Sequence, residues 1–301
     1  METNSSDKPF FATCSHPAVL RSICINCRQK ISDHHGLRFD YINRGLRLTK
    51  TEVNRMRNFE TNILLKKKKL ILVLDLDETL IHTTLESVSK EIESLQDVFK
   101  VKLTGFSCTV KLRPFVLEFL EQASTMFELY VYTNSYQAYA KEIVKLLDPD
   151  NKYFNSRLIS RDDSTLCGRK DLDIVMGQER TVVILDDRTD VWPNHNGNVI
   201  QVQKYEYFSP TVAKSKSKSF GERKTDEDIK IMKTYWKILK KVHSQFFDDK
   251  HDHDLGSRDV RGILREVQGE TVVGNKSTAK NKVAHVWMMA KKMGACISLQ
   301  L

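Results

Sequence analysis

An α/β fold with a central, mostly parallel sheet and helices on both faces is predicted from three short runs of residues. Leu70 to Leu74 is uncharged and bounded by charge on both sides, the pattern of a strand buried on both faces. Phe127 to Tyr132 is rich in aromatic and β-branched residues and ends in Thr133-Asn134-Ser135, which reads as a second strand. Thr181-Val-Val-Ile-Leu-Asp186-Asp187 repeats the first pattern, an apolar strand followed by paired acids. Strands are therefore expected near 70 to 76, 127 to 132 and 181 to 186. Leu103 to Lys111 is expected to form a short strand or hairpin beside the cleft entrance, and Phe115 to Met126 the following helix. Thr225 to Val242 places Ile229, Met232, Trp236 and Leu239 three to four apart, an amphipathic helix whose apolar stripe packs on the sheet domain.

The first strand ends in Asp75 and Asp77, with Thr79 two residues on. Functional groups of parallel sheets gather at the carboxyl ends of strands, and side chains two apart on a strand point the same way. Both carboxylates can thus meet one ligand, one attacking and the other carrying a proton. A phosphate monoester is anionic, so a carboxylate attacks it only when a cation cancels part of that charge. Magnesium suits hard oxygen ligands at such spacing. Two close carboxylates also disfavour double ionisation, which helps one of them hold a proton for a leaving oxygen. Thr133 brings a hydroxyl to the end of the second strand, and Lys170 in Arg-Lys-Asp-Leu offers a point charge for a phosphate oxygen. The plainer alternative is a polar strand end of the kind any α/β protein carries.

These segments resemble the haloacid-dehalogenase-type phosphatases, and within them the protein phosphatases that act on the C-terminal domain of RNA polymerase II. The resemblance rests on Asp75-Leu-Asp-Glu-Thr-Leu, Val110-Lys-Leu-Arg113-Pro-Phe-Val, Tyr132-Thr133-Asn, Ser160-Arg161-Asp162-Asp, Arg169-Lys170-Asp-Leu and Ile184-Leu-Asp186-Asp187-Arg-Thr-Asp-Val-Trp192. It covers roughly residues 60 to 245, and the Asp-Asp pair followed by Val-Trp looks like the TFIIF-associating branch. It implies a haloacid-dehalogenase-like, Rossmann-type fold. It further implies Asp75 as nucleophile, Asp77 as general acid and base, and Thr133 and Lys170 as phosphate ligands. Magnesium would lie on Asp75, Asp186 and the backbone carbonyl of Asp77, with Asp187 orienting bound water or the lysine. Arg113, Arg161 and Asp162 are candidates for substrate contact or support, and an equally open reading makes them structural ion pairs. Where the family carries a glycine soon after Tyr-Thr, this chain has Asn134-Ser135-Tyr136.

Of the six cysteines, three fall within Cys14-x-His16 and Cys24-x-x-Cys27. Those four side chains make a donor set that tetrahedral zinc accepts; unpaired thiols in a short segment are the alternative. Cys108, Cys167 and Cys296 are isolated and read as ordinary thiols of a reducing compartment. Towards the other end, Asp259-Val-Arg-Gly-Ile-Leu, Val272-Val-Gly and His285-Val-Trp-Met-Met-Ala-Lys-Lys-Met-Gly294 resemble the opening of a BRCT domain. That resemblance implies a helix over Ala284 to Met293 and a strand over Ala295 to Leu299. A whole domain of this kind needs close to twice the residues, so the segment from about 250 onward is expected to be poorly ordered or irregularly packed. His251-Asp-His-Asp254 reads as a solvated linker with metal binding as its alternative. The expected organisation is a Cys/His segment over 1–45, a catalytic domain over 46–245 and an incomplete BRCT-like segment over 255–301.

With 301 residues and 40% hydrophobic composition the chain can bury a core of ordinary size. It has no apolar run long enough for a membrane span, and Met1 to Pro9 carries both charges, unlike a secretory signal. A net charge of +9 attracts an anionic phosphopeptide as readily as nucleic acid, and direct nucleic-acid binding is not expected. Lys66 to Lys69 and the alternating Lys214, Lys216 and Lys218 read as solvated loop charge, with nuclear import as the alternative. The expected function is dephosphorylation of phosphoserine in the polymerase heptad repeats, in the nucleus, with the polymerase repeats and transcription factor TFIIF as partners. A phosphoserine-binding regulator without turnover is the second reading. A metabolite phosphatase is the third, disfavoured because Leu80 to Leu112 leaves room for only a small insert over the site.

Overall fold

The computed structural model describes residues 14–208, 225–248 and 254–268. The chain opens with four short strands, β1 (Ala18–Leu20), β2 (Ile23–Cys24), β3 (Leu37–Arg38) and β4 (Leu46–Leu48), antiparallel in the order β2-β1-β4-β3. Gly36 enters β3 with φ +74°, and a Cβ there would lie 2.4 Å from the Leu48 carbonyl oxygen. Only glycine fits so close a backbone approach. Helix α1 (Lys50–Lys66) begins at Thr49, whose hydroxyl accepts from the Glu52 amide, an N-cap that satisfies one of the helix's orphan donors.

From α1 the chain passes through β5 (Leu70–Leu74), β6 (Ile81–Thr84), the single turn α2 (Lys90–Glu93), β7 (Val98–Leu103), β8 (Phe106–Leu112), α3 (Val116–Met126), β9 (Phe127–Tyr132), α4 (Gln137–Leu147), β10 (Leu158–Ile159), β11 (Val182–Asp186), β12 (Val199–Gln201) and α5 (Thr225–Phe246). The main sheet has the order β10-β9-β5-β11-β12 with every neighbouring pair parallel. This is the α/β architecture that the three apolar runs predicted. All five residues of β5 are buried, as its uncharged sequence requires. The strand ends at Leu74 rather than near 76, so Asp75 and Asp77 leave the ladder and are oriented by the loop instead of the pleat.

Alternate residues of the strands feed two cores. Leu70, Leu72, Leu74, Leu129, Val131, Val183 and Leu185 face α3, α4 and α5. Ile71, Val73, Tyr130, Tyr132, Val182 and Ile184 face α1, the N-terminal sheet and Trp192. Helix α5 buries Met232, Trp236, Leu239, Val242 and Phe246, with Trp236 edge-on to Phe119 of α3. Its expected apolar stripe thus packs on the catalytic core.

The insert between β5 and α3 is larger than the short hairpin predicted. Strands β6, β8 and β7 form an antiparallel sheet in that order. Gly105, at φ +93°, makes the β7–β8 turn.

Residues 260–268 form a helix, α6. Val260, Leu264 and Val267 on one face of α6 join the α3–α5 core, so this part of the tail packs regularly on the catalytic domain, contrary to expectation. Arg180 reaches the carbonyls of Leu255 and Arg258, and Gln268 that of Val199. The rest of the BRCT-like segment, with its expected helix and strand, lies outside the described residues, as do most of the His251 to Asp254 run and Lys214, Lys216 and Lys218. Among the described residues no helix is long and apolar enough to cross a membrane.

Two histidines tie distant segments together. His82 Nδ1 accepts from the Tyr207 and Phe208 amides at 2.8 and 3.0 Å, and His243 Nε2 pairs with the Lys68 carbonyl at 2.7 Å. Burial holds both imidazoles below the ordinary histidine range. For His82, Glu78 and Glu206 pull upward and Lys204 adds to the depression; for His243, the Lys68 carbonyl opposes the shift and the Lys68 charge adds to it. As pH falls through the ordinary histidine value of about 6.5, the unfolded chain takes up protons that the fold still refuses. Stability is therefore full above that value and lost below it, down to the depressed native values. Urea midpoints should fall between pH 7.5 and 5.5, with a shallower fall in His82→Gln; equal slopes in the two proteins would contradict this assignment.

Candidate active site

Because β9, β5 and β11 run parallel and in register, with Leu74 beside both Val131 and Leu185, their carboxyl ends open into one cleft. It has a volume of about 290 Å³ and is lined by Asp75, Asp77, Thr133, Lys170, Asp186 and Asp187, with Ser135 and Arg161 at its wall. The loop after β5 turns sharply at Glu78, a non-glycine residue at φ +64°. Its carbonyl accepts from the Tyr205 amide and its side chain pairs with Lys204. A left-handed residue of this kind is costly unless its surroundings hold it, and here the 204–205 segment does.

Lys170 is the electrostatic centre. It is 2% exposed, and its Nζ donates to Asp75 Oδ1 and Asp186 Oδ2 at 2.7 Å each. Burial opposes its charge, but Asp75 and Asp186 outweigh that and hold its pKa above the usual lysine value. Asp186 is fixed further by Trp192 Nε1 at 2.8 Å and the Arg188 amide at 2.9 Å. Desolvation pushes the Asp75 carboxyl up to about 7; Lys170 pulls it down and Asp186 pushes it further up. Asp187 is likewise raised to about 6, first by desolvation and then by Asp186 and Glu78. Close acids in a dry site resist simultaneous ionisation, and a cation would relieve them.

Asp77 faces away from the lysine. It accepts from Ser135 Oγ at 2.8 Å and Tyr139 Oη at 2.5 Å, and Tyr139 also meets Thr83 Oγ1 at 2.7 Å. Desolvation raises its pKa against the pull of those two hydroxyls. An acid with a raised pKa, held in place by two hydrogen bonds, suits proton transfer. Ser135 and Tyr139 had no motif to mark them; Tyr139 arrives because α4 begins immediately after the β9 loop.

Thr133 lies at the end of β9, 1% exposed, and its Oγ1 accepts from the Ser135 amide. Thr79 braces Asp187 by exchanging two hydrogen bonds, Oγ1 to Asp187 Oδ1 at 3.3 Å and the Asp187 amide to Oγ1 at 3.1 Å. Asp162 sits outside the cleft, where its Oδ2 accepts from the Gln137 amide at the start of α4.

Arg113, expected to touch substrate, is not brought to the cleft. It is 1% exposed, donates to the carbonyls of Thr79 and Gln203, and pairs with Asp228 of α5 at 3.7 Å. The structural reading of its Arg-Pro junction holds instead: Arg113 pins the loop after Asp77 from behind. Replacing it by methionine takes the partner cation from a buried acid, which costs about 3–5 kcal/mol. Arg113→Met should lose stability on that scale in urea unfolding, while peptide KM stays unchanged; a raised KM at unchanged stability would place Arg113 back on the substrate.

Asp75, Asp186 and Asp187 each bring a carboxylate oxygen within 4.8 Å of the other two. These hard oxygens, whose mutual repulsion raises two of the three pKa values, fit magnesium. At the N-terminus the sulfur and ring-nitrogen atoms of Cys14, His16, Cys24 and Cys27 gather within the same distance. The Cys27 amide is the main influence bringing the Cys24 thiol down to about 6. A larger groove, about 700 Å³, runs beside the cleft between α4 and the β7–β8 turn, with Phe106, Tyr136 and Val144 along it. It shares Tyr139 with the Asp77 side of the site but not the acid cluster.

The model of the NLI interacting factor-like phosphatases matches residues 70–219. RNA polymerase II C-terminal domain phosphatase-like 4 of Arabidopsis thaliana is 37% identical over 327 aligned positions, covering 100% of this chain and 73% of that protein. The RNA polymerase II C-terminal domain phosphatase of Encephalitozoon cuniculi is 34% identical, over 88% of this chain and 66% of that one. Its Caenorhabditis elegans namesake is 28% identical, over 84% of this chain but only 41% of its own length. A solved structure described as Fcp1, an essential RNA polymerase II CTD phosphatase, aligns with a TM-score of 0.48 at 26% identity, over 73% of this chain and 66% of that one. By its likeness along its whole length to the plant protein and by the family match across its catalytic strands, this chain belongs to the RNA polymerase II C-terminal-domain phosphatase family, among the NLI interacting factor-like phosphatases.

Proposed function

We propose that the chain is a magnesium-dependent protein serine/threonine phosphatase that removes phosphate from serines of the RNA polymerase II heptad repeats through an aspartyl-phosphate on Asp75. The observation that carries this reading is the pairing of roles in one cleft: Asp75 bound to Lys170, and Asp77 bound only 2.5–2.8 Å from two hydroxyls on the other side. An oxygen of Asp75 attacks phosphorus, the bond to the serine oxygen breaks, and Asp77 gives that oxygen a proton. Asp77 then takes a proton from a water that attacks the acyl phosphate, releasing phosphate and restoring Asp75. Lys170 and Thr133 offset charge on the transferring oxygens. Magnesium, held by Asp75, Asp186 and the Asp77 carbonyl with Asp187 beside it, would neutralise the incoming phosphate.

The open cleft and its neighbouring groove support a peptide substrate over a small metabolite, and retention of a nucleophile supports an enzyme over a binding protein. A nuclear role follows from that substrate, with TFIIF as a further partner. Zinc on Cys14, His16, Cys24 and Cys27 belongs to the same reading, with a structural task. The test is kcat/KM on a phosphoserine heptad peptide against small phosphate esters. Preference for the peptide is expected; preference for the small esters would favour a metabolite phosphatase, and binding without release a phosphoserine-binding regulator.

A further inference from the structure

We infer that zinc bound by Cys14, His16, Cys24 and Cys27 locks the small N-terminal sheet against the segment that carries Lys170, so that a site outside the cleft positions the phosphate-binding lysine. The metal site stands on its own geometry; its consequence for turnover rests on the phosphatase reading above.

The ligand geometry comes first. Cys14 Sγ and Cys24 Sγ are 3.8 Å apart, and Cys27 Sγ is 3.3 Å from His16 Nδ1. The edge of a tetrahedron built on Zn–S bonds of about 2.3 Å is about 3.8 Å, so the thiols stand at zinc spacing and not at disulfide spacing. The cluster is built by backbone features. His16 and Arg28 adopt positive φ, of 49° and 63°, and the Arg28 amide returns to the Cys24 carbonyl at 3.0 Å. That return folds Cys24-x-x-Cys27 into a tight turn facing Cys14 and His16. The His16 carbonyl is held by His35 Nε2 at 2.9 Å. On binding, the metal takes the thiols as thiolates and their protons pass to solvent.

The need for a metal follows from the size of the unit. Its four strands are two or three residues long, and an element this small cannot hold its own shape by apolar burial. Yet its position matters to the cleft. Phe39, Tyr41 and Leu48 share a core with Leu172, Ile174, Val175 and Trp192. Tyr41 Oη donates to the Ile174 carbonyl at 2.6 Å. The Thr49 amide, at the cap of α1, donates to Pro17, next to His16; from α1, Arg57 reaches the carbonyls of Val175 and Leu172. Both routes end on the turn that directly follows Lys170.

The experiment uses the full chain purified without chelator. Metal analysis should find one zinc per chain, lost in Cys24→Ser and in Cys27→Ser and kept in Cys167→Ser, whose thiol is exposed. Should the serine variants fail to fold, native chain reloaded with Co2+ should show the intense d–d absorption of a tetrahedral thiolate site. For positioning, native chain is stripped of zinc and returned to excess Mg2+. Amides of residues 170–177 should then exchange at least about tenfold faster, those of β5 and β9 should not, and added Zn2+ should restore protection. Absence of both bound zinc and a tetrahedral cobalt spectrum would overturn the site. Unchanged exchange over residues 170–177 in stripped protein would overturn its positioning role. None of these readouts needs turnover, so an inactive chain would count against the phosphatase reading alone.

Discussion

Asp75→Asn should abolish turnover without unfolding the chain. The amide is nearly isosteric with the carboxylate but cannot attack phosphorus, and loss of a nucleophile lowers kcat on the order of 10⁴- to 10⁶-fold. Stability should hold or rise. Burial and the nearby Asp186 already push the Asp75 carboxyl up to about 7, which marks its charged form as disfavoured where it stands. Removing that charge relieves Asp186 while Lys170 keeps one carboxylate partner at 2.7 Å. Urea unfolding in the absence of magnesium measures this directly. A large loss of stability would show that the Asp75–Lys170 pair holds the fold together.

Lys170→Met should fail in both respects. Turnover should fall by orders of magnitude, since the ammonium sits where charge develops on the phosphoryl oxygens. Stability should fall by about 3–5 kcal/mol, because Asp75 and Asp186 are left facing each other in a dry site with their shared cation gone. The second variant exposes the coupling: Asp75→Asn combined with Lys170→Met should recover part of the lost stability, since one of the two opposed charges is then absent. Two changes that simply added would mean that Lys170 stabilises the fold through its packing against Tyr132 and Trp192 and not through its charge.

What could be read from the sequence was set by burial and by strong local signals. Strands β5, β9 and β11 are buried on both faces, so their runs carry almost no charge, and the acids that follow them mark the cleft. Lys170 was legible from its motif, although its contact with two acids from two different strands was not. Strands β10 and β12 were not legible: each is two or three residues long and is defined by a parallel neighbour rather than by its own pattern. Strand β7 hid because Lys100 and Lys102 alternate with its apolar residues on a half-exposed sheet. Arg113 misled because an Arg-Pro junction reads alike whether the guanidinium faces a substrate or, as here, an acid on a helix more than a hundred residues later. Asp77 was expected to share the pleat with Asp75; the strand ends first, and a left-handed Glu78 turns Asp77 towards Ser135 and Tyr139 instead. The N-terminal cysteines announced their donor set, but the sheet that carries them is too short to leave a pattern.

The most direct test of the central claim is phosphate release from a serine-phosphorylated heptad peptide, with and without magnesium, by the native chain and by Asp75→Asn. The account predicts release that needs magnesium and vanishes in the variant. Release that persists in Asp75→Asn would contradict the nucleophile, and no release from native chain that still binds the peptide would contradict the enzyme.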